Sequence, residues 1–582
     1  MRGQVTYWNE ERGYGFINAG GTKDYFFHIS ALENGKDSID QGTVVEFEGR
    51  NTNGRHKADL VKLGAQLAPS GKKATPRQRR TEYTPDPRQR RTEYTPDYDG
   101  SFTELSAVDM TNCLEAVSDW KLEAKLEDAI RYFLPVPETD LIKSGKKSYI
   151  IGRKGTGKTA IVSYLSGVSN EGFSTEKLSF KNFPFNDLYK LENEQYTKPN
   201  QYITLWKYII YSTVVRMMAD RPKVDPLLRK KIRKVYPEPN ASDLKGLLKK
   251  WTAGDFSISV LGNGFSFANW FSKRSDTTWV ERVDHLEEFI KKNCDSSTYL
   301  VMFDELDEDY KEMMDRFIDG GYIHLLTSLF KAVQDIRGIM DREGKHVFPI
   351  IFLRDDIFDL ITDADKTKWR DFTTTLDWTL PKIKSLLKYR IEKSSGISNT
   401  DFLDSWHTLF DNKSIPYAAR RKSLHSLDFI TRSTQGRPRD YIHYLQVCAE
   451  SQLENGGGRI EQKTVVSADK TYSNYLKSEL SDEIHGVIPD IGNVFRVLSQ
   501  IRKSILSVDE FSEVFDGYVE KGLIRSRDAG FILQTLFYFS VIGNVSRNHQ
   551  VHIFRHEHPE AVLNFSENIV IHRGLMKALQ IL

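Results

Sequence analysis

A run GRKGTGKTA at residues 152–160 sets Gly152, Gly155 and Gly157 along a short loop and follows them with Lys158, Thr159 and Ala160. Glycines at this spacing let backbone amides turn inward around phosphate oxygens, and a helix opening directly after them favours the same negative charge. Lys158 would then reach the β- and γ-phosphates of a nucleoside triphosphate, and the Thr159 hydroxyl would enter a Mg²⁺ shell. Far downstream, TYLVMFDELDEDY ends an apolar segment in Asp304 and Glu305. A carboxylate at Asp304 suits a Mg²⁺ held through water, and Glu305 is placed to orient or deprotonate an attacking water. The chemistry these residues point to is binding of ATP with Mg²⁺, followed by hydrolysis of its terminal phosphate.

A second set of candidates is aromatic. In ERGYGFINAGGTKDYFFHIS (11–30) strand alternation sorts Tyr14, Phe16, Phe26 and His28 onto one side and Ile17, Phe27 and Ile29 onto the other. Tyr7, Trp8 and the basic Arg12 lie just upstream. Exposed rings on a sheet are a surface on which bases of single-stranded RNA or DNA stack without sequence readout.

These residues need elements to hold them. Residues 1–64 read as short alternating strands punctuated by glycine and Asn-Gly turns, the pattern of a small β-barrel. Residues 65–104 read as a basic, proline-rich linker in which PRQRRTEYTPD (76–86) is repeated unchanged at 87–97. From 105 to 395 strands (SYIIG, TYLVMF, VFPIIFL) separated by helices predict a parallel α/β core. Helical periodicity in DWKLEAKLEDAIRYFL predicts a helix over 119–134. Residues 396–478 read as a helical lid, and 479–582 as helices followed by a hairpin, the order of a winged helix that would meet duplex DNA or a protein. The histidines of VHIFRHEHPE lack the cysteines or spaced acids of a metal site and are read as wing and loop.

Over residues 2–64 the chain resembles the cold-shock domain family, a five-stranded OB-type barrel, through GQVTYWNEERGYGFI and DYFFHIS. That likeness implies base stacking on Tyr14, Phe16, Phe26 and His28. The family's Lys-Trp-Phe is Thr6-Tyr7-Trp8 here, which removes one cation. Residues 105–582 are similar to the AAA+ and STAND superclass of P-loop ATPases, most like its origin-recognition and STAND-type branches. This resemblance implies that Arg354, in PIIFLRDDIFDL, senses the γ-phosphate. It also implies that Arg439, in TQGRPRDYIHYL, contacts phosphate from the lid, and that Arg370 acts as a finger across an ATP-dependent homo-oligomer interface. ATPases of this kind act as sensors or loaders, including in antiviral defence. Lys158 and Asp304 are 146 positions apart, further than in compact modules, and the intervening DPLLRKKIRKVYPEPN is basic.

Composition bounds the rest. A net charge of +2 gives little global attraction to nucleic acid, so contacts must come from local patches. No apolar run reaches the roughly 18 residues of a membrane span, and three widely spaced cysteines suit a reducing compartment, so a cytoplasmic protein with no membrane partner is expected. The alternative reading is a non-hydrolysing, nucleotide-gated scaffold that uses the barrel for protein contacts.

Overall fold

The computed structural model describes residues 2–9, 14–19, 25–28, 43–52 and 55–63, then 105–168, 170, 172–179, 202–235, 279–306, 321–398, 401–417, 422–526, 528–546 and 551–581. The chain divides into two units, Met1–Thr92 and Glu93–Leu582. Arg12, Ile29, the 65–104 linker with its repeat and the segments 180–201 and 236–278 lie outside the described residues.

In the first unit β1 (Arg2–Asn9), β2 (Tyr14–Asn18), β3 (Tyr25–His28), β4 (Val44–Thr52) and β5 (Arg55–Leu63) form a closed barrel in the order β1-β2-β3-β5-β4. Closure removes the free edges that a small sheet would otherwise expose. Val5, Ile17, Phe27, Val45, Phe47 and Ala58 fill it. Between Val5 and Tyr7 the β1–β2 register slips by one residue, so Val5 pairs with Ile17 while Tyr7 pairs with Phe16.

The second unit is built on a parallel sheet. Its strands are β6 (Tyr149–Ile151), β7 (Phe173–Ser179), β8 (Thr298–Asp304), β9 (Val347–Leu353) and β10 (Thr373–Thr375), in the order β10-β6-β9-β8-β7. The central strands read as continuous apolar runs because both faces are covered. Tyr299, Val301 and Phe303 of β8 face one core, beneath helices Ile203–Met218, Trp279–Asn293 and Gly321–Arg342, while Leu300 and Met302 face another beneath helix Lys158–Gly167.

A third core joins helix Ala107–Ser118 and the turn after it to the elements from helix Leu380–Ser395 to the C-terminus. It revises the expected boundaries. Helix Leu380–Ser395 buries Ile383, Leu387 and Ile391 in this core and so packs with the lid helices rather than with the sheet. Helix Gln462–Ile484 runs straight through position 478, with neither glycine nor proline to stop it, so lid and terminal elements share one helix and one core. The terminal elements comprise helices Ile491–Ile501, Val508–Glu520 and Ala529–Tyr538 and a four-stranded sheet. Besides a small hairpin, β11 (Ile415–Tyr417) and β12 (Lys422–Leu424), the remaining strands are β13 (Ile505–Leu506), β14 (Ile542–Val545), β15 (His552–Ile553) and β16 (Asn568–Ile571), ordered β13-β16-β14-β15.

The helix expected over 119–134 is absent. The chain turns there, with only the short helix Ala129–Tyr132, and the long helix lies upstream at Ala107–Ser118. Arg390 explains the difference: its guanidinium lies 4.7 Å from the Trp120 ring and 5.0 Å from the Tyr132 ring, and pairs with Glu127 at 2.6 Å. Wrapping a buried cation in two rings and a carboxylate outweighs a weak local helix preference. Among the described residues no helix is long and apolar enough to cross a membrane.

Candidate functional site

The loop after β6 ends at the N-cap Gly157, and Lys158 opens helix Lys158–Gly167. Gly155 and Gly157 have φ of 81° and 94°, the left-handed region that a side chain strains. A Cβ on Gly152 would come within 2.7 Å of the Thr156 hydroxyl. The Trp378 indole donates to the Thr156 carbonyl at 2.8 Å and pins the loop from the segment after β10. Lys158 Nζ donates to the loop's own carbonyls, Gly152 O at 2.7 Å and Arg153 O at 3.0 Å.

The strand order β6-β9-β8 brings the second motif to the same place. The Thr159 hydroxyl lies 3.4 Å from Asp304 Oδ1, and Asp304, 2% exposed, pairs through Oδ2 with Lys177 of β7 at 2.9 Å. Glu305 follows with φ of 62°, a conformation costly for a residue with a Cβ. Its carboxylate is ion-paired with Lys125 and accepts a hydrogen bond from Ser179. Lys125, Lys158, Thr159, Asp304 and Glu305 line a cavity of about 550 Å³ with apolar walls that include Phe133, Trp378 and Ile442. A hydroxyl oxygen and a carboxylate oxygen facing one another are two of the oxygen ligands that a phosphate-bound Mg²⁺ would take.

Arg439 lines the same cavity, and a Cβ on Gly155 would lie 3.3 Å from its Cβ, so the start of helix Pro438–Glu454 rests on the loop. Glu479 bridges the two elements, 3.2 Å from Arg439 and 3.4 Å from Lys154. Arg437, not singled out in the sequence, is almost fully buried and pairs with Asp440 at 3.0 Å and Glu483 at 2.9 Å. Burial works against the charge on Glu483, yet Arg437 holds its carboxyl below the ordinary range. Arg354 does not line the cavity: it caps helix Asp355–Leu360 and is held by Asp356 at 2.9 and 2.5 Å. Arg370 is exposed beside β10, the edge strand of the sheet.

Sequence reasoning missed Lys125, Lys177, Ser179 and Arg437. Only the RPRD run around Arg437 carried a local signal.

The loop also reaches the terminal elements. Arg153 donates to the Gln435 side chain at 2.5 Å, and Gln435 donates to the carbonyls of Phe539 and Ser540 at 3.1 and 3.2 Å. Beneath this contact the buried His572 ring lies 5.2 Å from that of His556. Burial above all pushes the His572 imidazole down to about 4, against Asp440 and with help from Arg153, and burial does the same to His425. The unfolded chain therefore takes up these protons first, and stability present above pH 6.5 is lost as the pH falls towards 4. At about pH 5 each histidine is expected to cost roughly 2 kcal/mol. Melting curves at pH 7.5 and 5 should show a shallower acid loss in His572→Gln than in the parent; equal slopes would refute this role.

In the barrel, pairing sets Phe16 opposite both Tyr7 and Phe26, and Tyr14 opposite His28 and Asn9. The alternate row runs through Trp8, Gly15 and Phe27, and Phe27 is fully buried. Backbone position thus separates Trp8 from the other barrel candidates.

The molecule is of the class in which a small closed β-barrel precedes a parallel α/β core with a phosphate-loop geometry and a helical lid. Residues 1–63 match the 'Cold-shock' DNA-binding domain. Cold shock protein CspB of Geobacillus stearothermophilus is 41% identical over 65 residues, 11% of this chain and 98% of its own length, and the major cold shock protein CspA of Bacillus cereus is 41% identical over 97% of its length. Through these N-terminal residues the chain belongs to the cold-shock domain family. Residues 381–481 match the FunZ-associated C-terminal helical domain. Similar solved structures include a Drosophila ORC bound to DNA (10% identity, TM-score 0.27, 87% of this chain and 95% of that one). The Aeropyrum pernix ORC2 protein in its ADP form is another (12% identity, TM-score 0.27, 83% and 95%). These superpositions are loose, and the fold of the core rests on its own strand order.

Proposed function

We propose that this chain is an ATP-dependent switch associated with single-stranded nucleic acid. The observation that carries the reading is the meeting of Lys158, Thr159, Asp304 and Glu305 in one cavity, with Arg439 of the lid on the phosphate loop. Amides at the start of helix Lys158–Gly167 and the Lys158 ammonium hold the phosphates. Thr159 and Asp304 would hold Mg²⁺, which when bound neutralises phosphate charge. Glu305, released from Lys125, orients and deprotonates water. Arg439 exchanges Glu479 for phosphate and so ties lid position to the nucleotide. The barrel engages RNA or DNA on Tyr7, Tyr14, Phe16, Phe26 and His28, in line with its cold-shock relatives.

The terminal elements have the helix and sheet order of a winged helix, and a protein is the better partner there. Helix Ala529–Tyr538 carries no cation, exposes Phe531, and follows a helix bearing Asp509, Glu510, Glu513, Asp516 and Glu520. Arg370 at a sheet edge suits contact with a second copy, and an assembling ATPase of this kind fits a role in antiviral defence. The second reading, a non-hydrolysing scaffold, is favoured by one feature: both motif carboxylates are engaged by lysines, Lys177 and Lys125.

Steady-state ATP turnover with and without a single-stranded oligonucleotide decides between them. Turnover that rises with oligonucleotide supports the switch; none under either condition supports the scaffold.

A further inference from the structure

We infer that helix Pro226–Val235 is a second nucleic-acid contact, a phosphate-backbone site on the ATPase unit separate from both the barrel and the nucleotide cavity. Its sequence, PLLRKKIRKV, holds five Lys and Arg and no acid. Leu228 and Ile232 turn inward against the sheet core together with Val224. Lys223, Lys230, Arg233 and Lys234 are exposed on the other side. Lys230 and Lys234 stand one turn apart, where like charges repel. Among the described residues Lys223, Lys230, Lys231 and Lys234 form no ion pair, and Arg233 alone meets an acid, exposed Asp220 at 3.1 Å.

On helix Trp279–Asn293 of the same unit the lysines of the last turn are compensated. Lys291 pairs with Glu287 at 2.8 Å and Glu288 at 3.2 Å, and Lys292 reaches Glu288 at 3.8 Å. A face on which four lysines cluster without an acid partner among the described residues, in a chain of net charge +2, marks an anionic partner.

Position separates the site from the cavity. Just ahead of the helix, Arg221 donates to the Asn170 carbonyl at 2.7 Å, and Asn170 bridges to Phe173, the first residue of β7. The basic face therefore lies towards the amino ends of the strands, whereas Asp304 and the phosphate loop stand at the carboxyl ends.

The geometry favours a polynucleotide over an anionic membrane. A helix that lies in a lipid surface presents its apolar face to the bilayer, but here that face is spent on the core and Leu227, 71% exposed, is the large apolar side chain left outside on the described helix. A row of lysines over a polar exterior matches phosphates spaced along a strand. The inference builds on the nucleic-acid reading of the chain but uses none of the barrel residues.

The test uses the full chain with Lys223→Ala, Lys230→Ala and Lys234→Ala combined. All three positions are exposed, and the packed face is untouched. Affinity for a thirty-nucleotide single strand and for the matching duplex is measured by anisotropy across a salt series. Each phosphate deprived of its lysine lowers the slope of log K against log salt by about 0.7 on single strands and 0.9 on duplex. A slope reduced by about 2 on at least one probe, with affinity down roughly tenfold or more at 0.1 M salt, is expected. Lys291→Ala with Lys292→Ala should change neither. An unchanged slope on both probes overturns the site, as does an effect confined to phosphatidylglycerol vesicles. Phe16→Ala with Phe26→Ala, measured in parallel, reports on the barrel alone, so failure of one reading is distinguishable from failure of the other.

Discussion

Glu305→Gln is expected to bind ATP as tightly as the parent and to hydrolyse it about 10²–10⁴-fold more slowly, the usual worth of a positioned general base. Glutamine keeps the shape and still accepts from Ser179, so the cavity wall is retained, but it cannot take a proton from water. It also loses the ion pair to Lys125, which removes one constraint on the site without supplying a base. Lys158→Ala should behave differently and lose nucleotide binding itself. Lys158 Nζ is held only 2.7 and 3.0 Å from two loop carbonyls, already at the mouth where phosphates would sit. Binding by equilibrium dialysis and single-turnover hydrolysis separate the two outcomes. Turnover preserved in Glu305→Gln would assign the base to another carboxylate.

The second large effect is expected in the barrel. Register sets Phe16 beside Phe26 and Tyr7, one row across three strands. If bases stack there, each ring contributes about 1–3 kcal/mol, and removing two lowers affinity by at least roughly 30-fold. Phe16→Ala with Phe26→Ala should leave the barrel closed, since Val5, Ile17, Phe27, Val45, Phe47 and Ala58 fill its interior. Circular dichroism of the full chain controls for folding, and an oligothymidine titration measures the change in affinity. Affinity within twofold of the parent would reject stacking on this row.

Legibility in the sequence followed how local the governing physics is. The phosphate loop announced itself because left-handed backbone at Gly155 and Gly157, with a helix starting at Lys158, leaves little choice of residue. β8 and β9 were equally plain, since strands covered on both faces must be apolar throughout. Segment 119–134 misled because its helical spacing of apolar residues serves instead to wrap Arg390, a partner more than 250 positions away. Lys177 and Ser179 gave no local sign, because they meet Asp304 and Glu305 only once β7 lies beside β8, and Lys125 gave none because it reaches Glu305 from the turn ahead of helix Ala129–Tyr132. The boundary at 478 rested on the helices-then-hairpin order of the last hundred residues, whereas burial along helix Gln462–Ile484 is continuous.

That helix has a mechanical consequence. Its 23 residues span about 35 Å at roughly 1.5 Å per residue. Near one end Glu479 and Glu483 grip Arg439 and Arg437 at the phosphate loop, and towards the other Asp469 holds Arg573 and Ser433. A lever of that length tilted by about 10° carries its far end through roughly 6 Å. If the lid answers nucleotide as proposed, such a tilt would turn a small shift at the phosphate loop into a stroke the width of a side chain at the far end of one continuous helix.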